Sequence, residues 1–298
     1  MDLQQLRYFQ AVARLEHISR AAEELYVAQP SLSRAIARLE RELGVPLFDR
    51  HGRQVRLNRL GHTFLQYVEQ ALAKLEEGKR QIADMAGLEQ GQVVLAVLYT
   101  VGAQLLPELL KAFREQHSSI QFQLSQNAAH VLIDQLSKGE IDLCITSPQP
   151  EEPDIAWTPL RTEEIFLVVP PNHRLAGRDS VYLHEVAQDA FIALKHHYGL
   201  REITDHFCRQ AGFTPRITFE GDELVLVRGL VTAGLGVAFM PALALYNTGE
   251  PGPSCLHIAD FPCQRTIGLA WIRERYLTAP ARLFCRFVIE YFQAFNRT

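Results

Sequence analysis

Gln29, Ser31, Ser33, Arg34 and Arg38 lie within one short stretch near the amino end, and their side chains suit the edges of base pairs. Guanidinium forks pair bidentately with guanine, a carboxamide does so with adenine, and hydroxyls reach a base or a phosphate. Spacing assigns them to one helix: Leu32, Ile36, Leu39 and Leu43 recur as its apolar stripe and leave the polar set on the other face. Pro30 fits the first turn, where its missing amide would have no partner in any case. Ahead of it, Ile18, Ala21, Ala22 and Leu25 give an earlier helix its own stripe, and the small Ala21-Ala22 pair permits a close crossing. Tyr26 to Gln29 is too short for a strand and suits a sharp turn. Together these make a helix-turn-helix, whose second helix enters the major groove. A solvated amphipathic helix pair is the plainer alternative; the turn, Pro30 and the basic loop that follows weigh against it.

The charge distribution agrees. Of 298 residues, 21% are charged and the net charge is −4, which alone disfavours nucleic acid. Residues 1–66, however, hold ten Arg against seven acids, and residues 29–59 seven against three, so the deficit lies entirely in the rest of the chain. Every basic residue before Lys74 is Arg, the side chain best shaped for phosphate and base edges.

Other elements must hold that helix in place. Leu3, Leu6, Phe9, Val12 and Ala13 predict an opening helix beneath the motif. The segment VPLFDRHGRQVRL predicts a small hairpin, or wing, turning at His51-Gly52, with Leu47 and Phe48 as anchors. Arg50 and Arg53 are left outside to grip phosphates or the minor groove. From Arg59 to about Leu88 runs a stretch without proline, in which Phe64, Val68, Ala71, Leu75, Gly78, Ile82 and Met85 alternate by four and three. Such a stripe predicts a helix–helix seam and self-association, which would present two recognition helices about one turn of DNA apart.

At these residues the chain resembles the LysR-type transcriptional regulators. The matching positions include Leu6, Phe9, Val12, Ser19, Ala21, Ala22, Leu25, Gln29, Pro30, Ser31, Leu32, Ser33, Ile36, Leu39, Glu40, Leu43, Gly44, Leu47, Phe48 and Arg50, and the likeness continues through GLVTAGLGVAFMP at 229–241. A narrower resemblance, to the activator subgroup of bacterial glutamate synthase genes, rests on 102–113 and 200–213. Ala28 departs from the Ser or Thr usual in the family before the recognition helix, and Asn58 from the usual Thr. Asn caps a helix well and Ala does not.

Beyond a short hinge at 88–92, strands alternate with helices: 93–99, 120–126 and 141–147 enclose helices at 102–116 and 130–139, a βαβαβ unit with a parallel sheet. A second unit follows, with strands EIFLVVP, AFIAL, RITFEG and GVAFMP around helices at 199–212 and 222–234. RTIGLAWI and a closing helix then return. The fold class predicted is α/β with an all-α N-terminal part. It comprises a winged helix-turn-helix domain (1–58), a linker and dimerisation helix with hinge (59–90), and a two-lobed effector domain (91–298) like the periplasmic binding proteins. Lobe I is 91–162 with 267–298, and lobe II is 163–266.

Open parallel sheets bind ligands beyond the carboxyl ends of their strands, where helix N-termini expose amides. In lobe I those ends are Thr100, Val101, Gly102, Gln126, Thr146 and Ser147, with Thr100 expected both to cap its helix and to meet a ligand oxygen. In lobe II, Lys195, His196 and Arg201 cluster near a helix start and favour an anionic small molecule, with Phe239 at a neighbouring strand end. No metal is expected, since His196 and His197 point opposite ways on an extended chain and Cys255, His257 and Cys263 lack ligand spacing. Cys208, on a stripe with Ile203, Phe207 and Ala211, is expected to be a core thiol. Glu151-Glu152 and Glu163-Glu164 suggest solvated turns. No GxSxG, HExxH, P-loop or dinucleotide fingerprint stands in a suitable context, so neither an enzyme nor a cofactor is expected. Five cysteines without a CxxC pair, no apolar run long enough to span a bilayer and no export signal at MDLQQLRYF point to the cytoplasm.

The reading is therefore a bacterial DNA-binding regulator that answers to an anionic effector between two lobes. Its partners are double-stranded DNA carrying an interrupted inverted repeat, the effector, and further copies of the chain as dimer and tetramer, with no membrane. The alternative is a two-lobed solute-binding protein without a transcriptional role. That ligand-driven changes in DNA bending expose or block RNA polymerase is implied by the family resemblance alone.

Overall fold

A computed structural model describes residues 1–51, 54–85, 91–196, 198–245 and 252–295. The chain divides into two compact units, Met1–Ile82 and Ala83–Thr298.

In the first unit, Asp2 and Gln5 close a capping box on α1 (Leu3–Leu15). His17 accepts from the Arg20 amide to start α2 (Ile18–Glu24). Tyr26 then takes a left-handed conformation, φ 53°, and so turns the chain within a few residues into α3 (Gln29–Leu43). Ala28 occupies the N-cap of α3 with no side-chain bond, so the departure from Ser or Thr leaves the helix start where expected but uncapped. Strands β1 (Phe48–His51) and β2 (Gln54–Leu57) pair antiparallel, His51 opposite Gln54. The expected turn at His51-Gly52 reaches Gly52 and Arg53, which lie outside the described residues, as does the Arg50 side chain. Asn58 does cap α4 (Arg59–Met85): its Oδ1 accepts from the Gly61 amide at 2.8 Å while its Nδ2 donates to the Pro46 carbonyl.

Phe9, Val12, Ala21, Ala22, Leu32, Ile36, Leu39, Leu47, Phe48 and Val55 fill one core, joined by Val68 and Leu72 of α4. Leu43, predicted on the buried stripe of α3, is 36% exposed, because the helix ends one residue later at Gly44.

The second unit opens with β3 (Gln92–Leu98), α5 (Tyr99–Gln116), β4 (Gln121–Asn127), α6 (Ala129–Lys138) and β5 (Leu143–Thr146). Both β4 and β5 run parallel to β3, as expected. The next strand is longer than the sequence suggested. Only 164–170 carried a strand pattern, yet β6 runs Ile155–Val169. Pro159, Arg161, Thr162 and Glu163 hide its first half from any hydrophobicity pattern, and a register shift opposite Ile267/Gly268 accommodates the proline. Then come β7 (Ser180–Val181), β8 (Ala190–Leu194), α7 (Gly199–Gln210), β9 (Arg216–Gly221), α8 (Leu224–Thr232), β10 (Ala238–Pro241), β11 (Ser254–Ile258), β12 (Gln264–Ile272) and α9 (Ala279–Phe295).

The large sheet is ordered β4-β3-β5-β12-β6-β11-β7, with β10 also on β6, while β8 and β9 form a separate parallel pair. It is mixed, not parallel throughout: β12 lies antiparallel to β5 and β6, and β10 and β11 antiparallel to β6. Gly268 is required here, since a Cβ would stand 2.2 Å from the Trp157 ring.

Apolar side chains form two cores within this unit. One joins α5, α6 and α9 to the β3–β5 half of the sheet and includes Leu160 and Ile267; the other lies around β8, α7 and α8 and includes Ile165 and Cys263. β6 and β12 thus pass from one core to the other, between residues 160 and 165 and between 263 and 267. The turn after β10 makes the same passage, with Leu243 in the first core and Ala244 in the second.

Candidate functional site

Two surfaces could carry chemistry, one in each unit. On α3, Leu32, Ile36 and Leu39 are turned inward, and the opposite face presents Gln29, Pro30, Ser31, Arg34 and Arg38 to solvent. Ser33 is half-buried. Arg34 Nε donates back to the Pro30 carbonyl at 3.2 Å, which steadies its stem along the helix. Sequence reasoning assigned no task to Glu40, yet its Oε1 accepts from the amides of Leu47 and Phe48 at 2.8 and 3.3 Å. This ties the wing's first strand to the end of α3, and only the distant partners of this half-buried acceptor, invisible in sequence, could have revealed it.

The predicted α4 seam is divided between two tasks. Val68 is buried in the unit's own core, and Phe64 packs on Phe9 with ring centroids 5.2 Å apart. Ala71, Leu75 and Ile82 stay exposed, and Leu60 and Tyr67 add to that open apolar surface. The first turns of α4 close the N-terminal core, so any seam must begin lower on the helix than the sequence periodicity implied.

In the second unit a cavity of about 810 Å³ opens between the two cores. Thr100, Gln126 and Ser147 of the predicted set line it. The others do not, for identifiable reasons. Val101, Gly102 and Thr146 are buried behind the wall; a Cβ on Gly102 would stand 2.3 Å from Gln126 Nε2, so glycine lets that side chain lie across the helix. Phe239 stacks on Phe191 in the second core. Arg201, only 5% exposed, turns into its own domain, where it donates to Asp205, to Glu220 and to the Leu194 carbonyl. His196 leans toward this group, and Lys195 is paired with Asp222 at 2.6 Å. The expected anion-binding trio is therefore already committed to partners, while His197 lies outside the described residues.

Other charged groups reach the cavity instead. Arg228, Asp222, Glu223 and Arg265 line it, with Tyr99 and Tyr198. Arg265 is 4% and Glu163 1% exposed at the side chain, and they pair at 2.6 Å. Glu163 does not sit in a solvated turn, as its sequence neighbourhood suggested, but opposite Arg265 on β6 and β12. Its Oε2 accepts from the Leu243 amide at 2.7 Å, and Arg265 Nη2 donates to Thr100 Oγ1 at 2.8 Å. Glu164, its neighbour, pairs with His257 on the sheet surface. Thr100 does not cap its helix: α5 begins one residue earlier, behind Leu98, without a side-chain cap. Ser147 Oγ is buried with no protein partner among the described residues. Glu163 directly before one strand-like run and Arg265 at the start of another were the available signal.

Burial drives the Cys208 thiol up to about 12, with Asp205 adding to the shift. Cys208 is fully buried and packs in the second core.

Residues 3–62 match the model of the bacterial regulatory helix-turn-helix protein of the lysR family, and residues 86–293 match the LysR substrate binding domain. The chain belongs to the LysR family of transcriptional regulators. Among its relatives is the HTH-type transcriptional regulator YybE of Bacillus subtilis, 42% identical over 98% of this chain and 99% of the relative. Another is the transcriptional dual regulator GltC of the same organism, 38% identical over 98% of each. Among solved structures, the effector binding domain of QuiR in complex with shikimate aligns with a TM-score of 0.64 at 31% identity, over 69% of this chain and 99% of that one.

As a LysR-family member the protein is a DNA-binding transcriptional regulator with an effector-binding domain, not an enzyme. Among the described residues, no helix is long and apolar enough to cross a membrane.

Proposed function

We propose that this regulator binds an interrupted inverted repeat through α3 and the wing, as a homodimer that pairs into a tetramer, in the cytoplasm. A small anionic effector would occupy the cavity between the two cores. DNA reading is assigned to Gln29, Pro30, Ser31, Arg34 and Arg38, with Ser33 contributing from the helix flank and Arg50 and Arg53 from the wing. Effector contacts are assigned to Thr100, Gln126 and Ser147, joined by Arg228 and Arg265. Self-association is assigned to Ala71, Leu75 and Ile82. The division at 58/59 and 90/91 stands as part of the same proposal.

The observation that carries the effector reading is the Arg265–Thr100 bond at the wall of a cavity that Ser147 also lines, with a buried hydroxyl that no protein group among the described residues satisfies. A ligand oxygen there would complete the hydrogen bonding that the chain leaves open. The shikimate complex of the QuiR domain supports a carboxylate of this size. Ligand binding would favour one relative orientation of the two cores, and the family's regulatory output would follow as a population shift.

Two substitutions separate the two halves of this reading. Arg34→Ala is expected to cost about 1–3 kcal/mol on the cognate duplex and to relax its sequence preference. Equal discrimination between cognate and scrambled duplexes by variant and wild type would remove Arg34 from base reading. Thr100→Val is expected to blunt the effector's influence on DNA binding while ligand-free DNA affinity stays at the wild-type value, as measured by fluorescence anisotropy. If both quantities fall together, the cavity assignment is wrong.

A further inference from the structure

We propose that Glu163, acting through Arg265, fixes the effector's charge at minus one, so that the cavity selects a monocarboxylate with neutral hydrogen-bonding groups over a dicarboxylate. The inference rests on the cavity being the effector site and deepens that reading.

It follows from how the cavity's charges are matched. Arg265 would offer a full positive charge to any ligand near Thr100, but Glu163 lies against it at 2.6 Å, both side chains almost wholly buried. Lys195 likewise answers Asp222. Glu223, at the N-cap of α8, and Arg228, midway along that helix, also line the cavity and are opposite in sign. Among the described residues, these three cations and three carboxylates leave the side-chain charge formally balanced.

What remains is the backbone. Helices α5, α6, α7 and α8 all begin at the cavity wall, at Tyr99, Ala129, Gly199 and Leu224. Glu202, in the first turn of α7, is one carboxylate outside that balance and offsets about half of the positive charge of these four termini. α5 and α6 have neither a side-chain cap nor an acid in the first turn. Each presents roughly half a positive charge, and together they match one anion. Ser147 adds an independent sign: the residue lines the wall, and its buried Oγ has no protein partner among the described residues.

A monocarboxylate against the starts of α5 and α6 would meet these groups, with Arg265 already oriented by Glu163. A second carboxylate would meet either Asp222 and Glu223 or a guanidinium whose charge Glu163 has cancelled. Like charges in a cavity of low dielectric repel strongly.

The test is a thermal-shift series on the full-length protein, with aliphatic, hydroxylated and aromatic carboxylates, each as a matched mono- and dicarboxylate; ligand affinity sets the shift. The wild type should respond to monocarboxylates. Glu163→Gln keeps the shape of the side chain and its acceptor for the Leu243 amide but leaves Arg265 with its charge uncancelled. The ratio of dicarboxylate to monocarboxylate affinity should rise about tenfold in that variant. Glu223→Gln removes one cavity carboxylate without touching the buried pair, so it should move the ratio in the same direction even if Glu163→Gln fails to fold. A dicarboxylate as the best wild-type ligand, or a ratio unmoved in the folded variants, overturns the charge assignment and leaves the cavity reading intact. Absence of any shift in a wild type that still binds DNA overturns both.

Discussion

Truncating Arg265 to alanine is expected to destabilise the C-terminal unit by about 3–5 kcal/mol, because Glu163 would be left as a buried charge without its partner. The two residues face each other where β6 and β12 pass between the two cores, and the pair also holds the Leu243 amide and the Thr100 hydroxyl. Losing one member therefore loosens every described strand crossing at once. The only two tryptophans, Trp157 and Trp271, lie on these same strands, so urea unfolding followed by indole emission reads the affected region directly. Replacing both members by apolar residues of similar volume should cost much less, since no orphaned charge remains. A loss below about 1 kcal/mol for Arg265→Ala, the level of an exposed ion pair, would mean that solvent reaches the pair and that it does not organise the crossing.

Ile36→Ala should have a comparable effect in the other unit. Ile36 is 1% exposed in the centre of the core that fixes α3 against α1 and α2. A Leu- or Ile-to-Ala change at such a site costs about 2–5 kcal/mol, against a total of about 5–15 kcal/mol for a typical domain. α3 would lose its orientation, and DNA binding with it, although no residue on the DNA-facing side has changed. Helical circular dichroism should show an earlier melting component, while indole emission, which reports only on the C-terminal unit, keeps its wild-type midpoint. Wild-type DNA affinity together with an unshifted melt would show that α3 is held by something other than this core.

These two sites also mark how far the sequence could be followed. The recognition helix was legible because its information is local: Leu32, Ile36 and Leu39 repeat at the helical period, Pro30 starts the helix and Gly44 ends it. The βαβ unit around α5 and α6 was legible for the same reason, β3 and β5 being short apolar runs and β4 an alternating one. Legibility failed where a residue's role depends on a partner far away in the chain. Glu163 is adjacent to Glu164 and looks like half of a solvated acidic pair, until β12 brings Arg265 against it from a hundred residues away. Arg201 failed in the opposite direction. It sits beside a helix start, among other basic residues, yet Asp205 one turn on and Glu220 on the neighbouring strand draw it inward. For α4, periodicity located the stripe but could not say that Phe64 and Val68 would be claimed by the N-terminal core, leaving Ala71, Leu75 and Ile82 outside.

The most direct test of the central claim, that paired copies of α3 read duplex DNA, is selection of bound sequences from a random duplex library by the full-length protein. The account predicts enrichment of an inverted repeat with half-site centres about one helical turn, or a small multiple of it, apart. Binding to the selected duplex should weaken steeply as salt rises. A library left unenriched, or an affinity indifferent to ionic strength, would contradict it.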